Sequence, residues 1–305
     1  MDKPFDVAAL GEAMLEFNQT QPGQPQYLQG FGGDTSNAVI AAARAGARTT
    51  YLTRLGQDTF GDALMALWQR EGVDTSGIER DAQAPTGIYF VTHGERGHEF
   101  SYLRAGSAAS RMTPQWLPRE VVRQSKILHV SGISLAISPS ARGTAFEAMA
   151  EARNAGTIVS LDSNLRLKLW SLDDARAAIT RAIGLCDLFL PSVDDVTAIT
   201  GQGDPDAIID WGHSLGAKQV VLKLGGAGAV ASDGNRREHI PGLRVEVVDA
   251  TGAGDCFCGN LLARLCAGDS LFDAARYANA AAAVAVQGYG AVAPLPRPGQ
   301  VEALL

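Results

Sequence analysis

Val247-Val248-Asp249-Ala250-Thr251-Gly252-Ala253-Gly254-Asp255-Cys256-Phe257-Cys258-Gly259 is the stretch whose reading decides the fold. It reads as a β-strand that runs into a tight glycine turn and then a helix. Gly252 and Gly254 tolerate backbone angles that other residues resist, and they let a ligand approach the main chain closely. A helix starting near Asp255 turns its unpaired N–H groups and the positive end of its dipole toward that turn. The result is a seat for an anion, most naturally a phosphate. Asp255 places a carboxylate beside the seat. A turn that only held phosphate would have little use for a negative charge, whereas a general base that takes a hydroxyl proton belongs there. The plainer reading is that Asp255 caps the helix, since Asp is a favoured N-cap residue. On these residues alone both readings stand.

The rest of the chain narrows the classes open to it. Its 305 residues are enough for one large α/β domain or a domain with a small appendage. Hydrophobic residues make up 46% and charged residues 19%, ordinary values for a globular protein. A net charge of −7 argues against a nucleic-acid partner, which calls for a basic face. Met1-Asp2-Lys3-Pro4 shows no basic segment followed by an apolar one, so no signal peptide is expected. The apolar run Ala280–Val286 is too short to cross a bilayer. Cys186, Cys256, Cys258 and Cys266 lack metal-site spacing and are expected as reduced thiols in a cytoplasmic protein.

From residue 126 onward the pattern alternates strand and helix. Strands are expected at Ile127–Ser131, Thr157–Asp162, Asp187–Pro191 and Gln219–Leu224. Helices are expected at Ser138–Asn154, Leu172–Ile183, Val193–Thr200, Pro205–Leu215 and Phe272–Val286. Repeated units of this kind imply an α/β fold with a mostly parallel central sheet and helices on both faces. Ligands then bind beyond the carboxyl ends of the strands. Nearer the N-terminus, Phe5–Leu10, Tyr27–Phe31 and Thr49–Arg54 are strand-like, and Gly32-Gly33-Asp34-Thr35-Ser36-Asn37 opens an alanine-rich helix. Thr86–His93 and Glu99–Arg104 predict a hairpin around Gly94-Glu95-Arg96-Gly97. A lone hairpin is marginal in water. Pairing it with residues 13–33 gives a small lid sheet, with residues 86–105 as its other half, that also offers a face to a second subunit. No Gly-x4-Gly-Lys-Ser/Thr loop is present, and no Gly-x-Gly-x-x-Gly follows the first strand.

The run Asp249, Thr251, Gly252, Ala253, Gly254, Asp255, Phe257 and Gly259 resembles the C-terminal signature of the ribokinase-like (PfkB) carbohydrate kinases. Gly32-Gly33 with Asn37 resembles the N-terminal signature of the same family, in the right order along the chain. The resemblance implies a single ribokinase-like catalytic domain over residues 1–305, three-layered α/β/α, using ATP and Mg²⁺. It makes Asp255 the catalytic base and Gly252, Ala253 and Gly254 the anion hole, with Arg166 offsetting charge. It places Asn164, Ser192, Lys223, Gly225, Gly228 and Asn279 on the nucleotide side. As bare residues, Gly225–Gly228 are equally a β-turn and Asn279 equally a packing polar group. Relatives carry Asn-x-x-Glu where this chain has Ser192-Val193-Asp194-Asp195, so Asp195 is expected to reach magnesium through water.

Within that family, Gly87-Ile88-Tyr89, Tyr102-Leu103-Arg104-Ala105-Gly106-Ser107-Ala108 and Asp162-Ser163-Asn164-Leu165-Arg166 look like the 2-keto-3-deoxygluconate kinases. Ser131-Gly132-Ile133 adds to this. The implied acceptor contacts are Gly33, Asp34, Asn37, Tyr89, Tyr102, Arg104, Ile133, Arg166 and Asp255. A sugar acid needs an arginine fork or tyrosine hydroxyls for its carboxylate, and Arg104, Arg166, Tyr89 and Tyr102 supply such groups. A neutral-sugar kinase acting on fructose or ribose is the alternative.

Overall fold

The computed structural model describes residues 3–94 and 97–305, so Met1-Asp2 and the Glu95-Arg96 tip of the expected hairpin lie outside the described residues. The chain runs through β1 (Phe5–Leu10), β2 (Met14–Gln19), β3 (Tyr27–Gly32), α1 (Asp34–Arg44), β4 (Thr49–Gly56), α2 (Thr59–Glu71), β5 (Val73–Asp74) and β6 (Ile78–Asp81). It continues with β7 (Ile88–Gly94), β8 (Gly97–Leu103), α3 (Arg119–Arg123), β9 (Ser125–Ser131), α4 (Gly132–Ala136), α5 (Pro139–Asn154), β10 (Ile158–Asp162), α6 (Leu172–Ile183) and β11 (Leu188–Leu190). The last part holds α7 (Val193–Thr200), α8 (Pro205–Ser214), β12 (Gln219–Lys223), β13 (Gly228–Ser232), β14 (Arg237–Pro241), α9 (Ala253–Ala267), α10 (Leu271–Ala285) and α11 (Pro298–Glu302).

The large sheet has the order β14-β13-β12-β11-β10-β9-β1-β4-β5, with β6 beside β4. Strands β12 through β5 along this order are parallel, and β13 and β14 form an antiparallel edge. The central strands are apolar on both faces because both faces are covered. In β1, Ala8 and Leu10 point into the core shared with α5, α6 and α8, while Val7 and Ala9 point toward α1, α9 and α10. Val220 and Leu222 of β12 follow the first set and Val221 the second. Serine and aspartate N-caps start the helices where the sequence places them: Ser138 accepts from Ala141 N, Ser171 from Asp174 N and Ser270 from Asp273 N.

The chain order reverses at β1, which lies between β9 and β4. Such a switch point leaves a crevice at the carboxyl ends of the strands. The second sheet, β3-β2-β7-β8, stands apart from the first. Its β2–β7 pair is parallel and its other pairs are antiparallel. Met14, Tyr89 and Val91 form its small core, with Phe100 against them.

Three expectations need correcting. Val247 and Val248 are not in a strand. Val247 is 63% exposed, and the amides of Val248 and Asp249 donate to the Val286 carbonyl at the end of α10; no strand pairs with this segment among the described residues. The helix after it starts at Ala253, with Gly252 as its N-cap at φ 75. Asp255 is therefore the third helical residue and does not cap. Finally, β5, β6 and the β13–β14 edge were not anticipated. Gly225–Ala227 forms a short 3-10 turn between β12 and β13, so the expected turn between strands is present and joins an antiparallel pair.

Candidate active site

Two helices that are distant in sequence begin side by side. A side chain at Gly259 would place its Cβ 2.1 Å from the Ala38 carbonyl oxygen, so α9 and α1 approach backbone to backbone. That approach brings Asn37 to Asp255, and Asn37 Nδ2 donates to Asp255 Oδ2 at 2.8 Å. The two glycine signatures thus meet through a side-chain hydrogen bond.

The first turn of α9 is partly self-satisfied. Ala253 N donates to Ala250 O at 3.2 Å and Cys256 N to Gly252 O at 2.8 Å. Among the described residues the amides of Gly252, Gly254 and Asp255 donate to no protein group. Of the expected hole, then, the Ala253 amide is engaged, while Asp255 contributes an amide of its own. Asp249 braces the turn: its Oδ1 accepts from Thr251 N and its Oδ2 from Gly290 N, each at 2.9 Å.

The site is rich in carboxylates. Asp255 keeps some surface open to solvent. Burial first, and then the charge of Asp34, push its carboxyl up to about 7. Burial raises Asp34 as well, although Asn164 Nδ2 donates to Asp34 Oδ2 at 2.9 Å. Asn164 is the one non-glycine with positive φ among the described residues, at 21°. Beneath the α9 turn, Lys223 Nζ lies 2.8 Å from Asp162 Oδ1, and Cys258 Sγ donates to Asp162 Oδ2 at 3.4 Å. Burial alone would lower the Lys223 ammonium, but Asp162 outweighs it and holds Lys223 above its ordinary range. A Cβ at Gly254 would sit 3.6 Å from Lys223 Nζ, so this cation borders the free amides.

On the small-sheet side, Tyr89 is buried and its hydroxyl donates to Glu16 at 2.5 Å. Arg104 is ion-paired with Glu12, and Ser107 Oγ donates to Glu12 Oε1 at 2.5 Å. Tyr102 packs beside Tyr89, with ring centroids 5.6 Å apart and the rings tilted by 33°, and is 40% exposed. Gly33 immediately precedes α1, and Ile133 is half-buried in α4. Arg166 is exposed, with Nη1 on the Leu165 carbonyl at 2.8 Å, and its charge reaches Asp34.

Toward the sheet edge, Ser192 caps α7 and accepts from Asp195 N at 3.2 Å. Asp195 Oδ2 accepts from Ser163 Oγ at 2.7 Å. Gly225 and Gly228 have φ of 59° and 100°. Asn279 Nδ2 donates to the Pro241 carbonyl at 3.0 Å, bracing the end of β14. Among the described residues no group of three or more His, Cys, Asp or Glu is arranged to hold a metal.

The sequence assigns no role to Glu12 or Glu16, and Asp162 enters only as the first residue of the Asp162–Arg166 stretch. An acidic residue one glycine past the strand-like run Phe5–Leu10, and a second one inside Met14–Phe17, are the available signals for Glu12 and Glu16. Cavities of about 260 Å³ and 220 Å³ lie at the opposite, amino ends of the strands, around Asp6 and Lys126 and around Asp187 and Lys218. They contain none of these residues. The unclaimed amides and converging carboxylates, not enclosed volume, mark the candidate site.

The pattern described as pfkB family carbohydrate kinase matches residues 5–298. The chain is 33% identical to the 2-dehydro-3-deoxygluconokinase of Bacillus subtilis (strain 168), over 96% of this chain and 93% of that one. It is 34% identical to the enzyme of the same name from Thermoproteus tenax, over 99% and 94%. Fructokinase-1 of Oryza sativa subsp. japonica is 33% identical over 98% and 97%. Among solved structures, fructokinase with bound ATP from Xylella fastidiosa superimposes with a TM-score of 0.91 at 26% identity, covering 98% of each chain. A provisionally named ribokinase II from E. coli, in complex with ATP and Mg²⁺, does so with 0.90 at 27%, again over 98% of each. The fold is ribokinase-like.

Proposed function

The chain belongs to the pfkB family of carbohydrate kinases, and from that premise we propose that it transfers a phosphoryl group from ATP to the primary hydroxyl of 2-keto-3-deoxygluconate (2-dehydro-3-deoxygluconate), giving the 6-phosphate. The observation that carries the phosphoryl-transfer reading is the Asn37–Asp255 hydrogen bond beside the unclaimed amides of Gly252, Gly254 and Asp255. The sugar-acid reading is supported by the stretches around Tyr89, Tyr102–Ala108 and Asp162–Arg166, and by the similarity to the two 2-dehydro-3-deoxygluconokinases.

In this reading Asp255 takes the hydroxyl proton, and Asn37 holds its carboxylate in place. The free amides receive the charge that develops on the phosphoryl oxygens. Arg166 and Asn164 stand by the phosphates, and Lys223 adds a positive charge behind the turn. Ser192, Gly225, Gly228 and Asn279 line the nucleotide. Asp34, Gly33, Tyr89, Tyr102, Arg104 and Ile133 surround the acceptor. Asp195, with no all-protein cage around it among the described residues, suits Mg²⁺, which keeps water and phosphate ligands. Asp195 would hold Mg²⁺ through water, and the ion would supply positive charge to offset that of the phosphates.

The sheet β3-β2-β7-β8 acts as the lid over the acceptor. Leu28 on β3 and Leu103 on β8, 69% and 63% exposed, leave apolar side chains on the two edge strands for a second copy of the chain in the cytoplasm to cover. Light scattering checks this: a monomer at working concentration overturns the dimer.

A neutral-sugar reading rests on one observation besides the fructokinase similarity: Arg104 already carries a counter-charge, Glu12. A coupled ADP-release assay over 2-keto-3-deoxygluconate, its 4-epimer, fructose and ribose decides. The expected result is the highest kcat/KM on a keto-deoxy sugar acid. Preference for fructose or ribose overturns the acceptor assignment and leaves the kinase chemistry intact.

A further inference from the structure

Glu12 sits on the short link between β1 of the large sheet and β2 of the small one, and its side chain is only 1% exposed. A carboxylate so buried needs partners. Both come from the chain leaving β8: the Arg104 guanidinium is ion-paired with Oε2, and Ser107 Oγ donates to Oε1 at 2.5 Å. The turn between them is closed by Ser107 N on the Arg104 carbonyl at 3.0 Å, and Ala108 N ties it to the Pro85 carbonyl at 2.8 Å, near the entry to β7. Space is left for the carboxyl, since a Cβ at Gly87 would fall 2.8 Å from Glu12 Oε1. The link between sheets, the entry to β7 and the exit from β8 therefore meet on one charge. No hydrogen bond from Arg104 Nε or Nη1 to protein is present among the described residues, so the rest of its fork is uncommitted.

We propose that Glu12 is a positioning residue for acceptor recognition. It fixes the Arg104 guanidinium at the junction of the two sheets, and through Arg104 it sets acceptor affinity without touching the acceptor or the phosphates. The inference rests on the reading of Arg104 as an acceptor-binding residue. A merely structural ion pair would, on removal, lower thermal stability and harm nucleotide and acceptor binding alike.

The test starts with the wild-type enzyme on the acceptor panel, which finds the best acceptor and by itself judges the sugar-acid assignment. Glu12→Gln, Arg104→Ala and the double variant are then measured with that acceptor, whichever it is. Glu12→Gln keeps the size and an acceptor for Ser107 but removes the charge. Its acceptor KM is expected to rise about tenfold, the scale of a hydrogen bond to a charged group, with nucleotide KM unchanged and kcat little altered. The double variant is expected to match Arg104→Ala, because Glu12 acts through Arg104. If Glu12→Gln does not fold, Ser107→Ala serves instead, with a smaller rise confined to acceptor KM. Equal rises in both KM values, additive effects in the double variant, or a folded Glu12→Gln with unchanged acceptor KM overturns the proposal.

Discussion

The two ends of the site are put together differently. The centre of the proposed phosphoryl end is one contiguous run, residues 249–259, whose turn, free amides and carboxylate all lie within a few residues of one another. The proposed acceptor end is assembled from five separated segments, at Glu12–Glu16, Gly33–Asn37, Tyr89, Tyr102–Ser107 and Ile133. They are joined by contacts such as Glu16–Tyr89 across β2 and β7 and Glu12–Arg104 across the two sheets. Chemistry that depends on backbone geometry can be concentrated in a short motif, since an N-terminal turn presents its own donors. Recognition of an acceptor depends on side chains whose charge is set by long-range partners. A local change should therefore cripple the first end, while the second should respond in affinity and selectivity.

The largest expected effect follows from removing the base. Asp255→Asn keeps the hydrogen bonding capacity near Asn37 but cannot take a proton, and kcat should fall by roughly 10²–10⁴-fold. Nucleotide KM should stay near the wild-type value, and unimpaired turnover in this variant would remove Asp255 from the mechanism. A step smaller is Gly259→Ala. Its new methyl group would collide with the Ala38 carbonyl, pushing α1 from α9 and Asn37 from Asp255. Misplacement of about 1 Å far from the chemistry costs on the order of 10²-fold, and circular dichroism at the assay temperature separates this from unfolding. Tolerance of Ala with full activity would mean that the close helix contact does not hold the two signatures together.

Smaller again is the effect of Asn37 on the pH profile. With the Asp255 carboxyl at about 7 in the free protein, kcat/KM should fall about tenfold per pH unit on the acid side of that value. Asn37 donates to the ionised form and so favours it. Replacing it with Ala should move the acid limb upward by roughly one pH unit, given about 1.5–3 kcal/mol for a hydrogen bond to a charged group. An unmoved limb would show that some other group titrates in catalysis.

How much of this was visible beforehand follows the same division. The alternating strands and helices after residue 126 are legible because the strands are short apolar runs and most of the helices carry a side-chain cap, as at Ser138-Pro139 and Ser171. Phe5–Leu10, Leu172–Ile183 and Val193–Thr200 emerge with the bounds expected of them. Val247-Val248 misled because β-branched residues suit a strand but do not provide a neighbour to pair with. The cap reading of Asp255 failed for a related reason. Both glycines offer an unusual backbone angle, but nothing local says that Gly252 is the one to take the left-handed angle and start the helix earlier. Glu12 and Glu16 were passed over because a charge in an apolar stretch gives no hint of its partner, and those partners lie 92 and 73 positions away.

The smallest effect concerns stability, and its sign runs against the usual behaviour of carboxylates. A typical aspartate is held ionised by its partners and stabilises the fold above its unfolded value. Asp255 is the opposite case: burial and the charge of Asp34 raise it from 3.8 to about 7 in the folded protein. The folded state thus favours the protonated form. That contribution is fully present below about 4 and is lost progressively as pH rises through about 7. Between about pH 5 and pH 8 the wild-type Tm should decline, and Asp255→Asn, which stays uncharged, should decline less. The gap between the two proteins should widen toward alkaline pH by a few degrees, given roughly 2–4 °C per kcal/mol for domains somewhat smaller than this one. Scanning calorimetry of both proteins without ligand at each pH makes the comparison. Parallel Tm curves would show that the folded carboxyl titrates near its ordinary value and that the crowding of Asp34, Asp162 and Asp255 is relieved by solvent. A variant that is less stable than wild type at alkaline pH would mean that the ionised carboxylate is held by donors stronger than Asn37, and the acid limb of the activity profile would then move down with it.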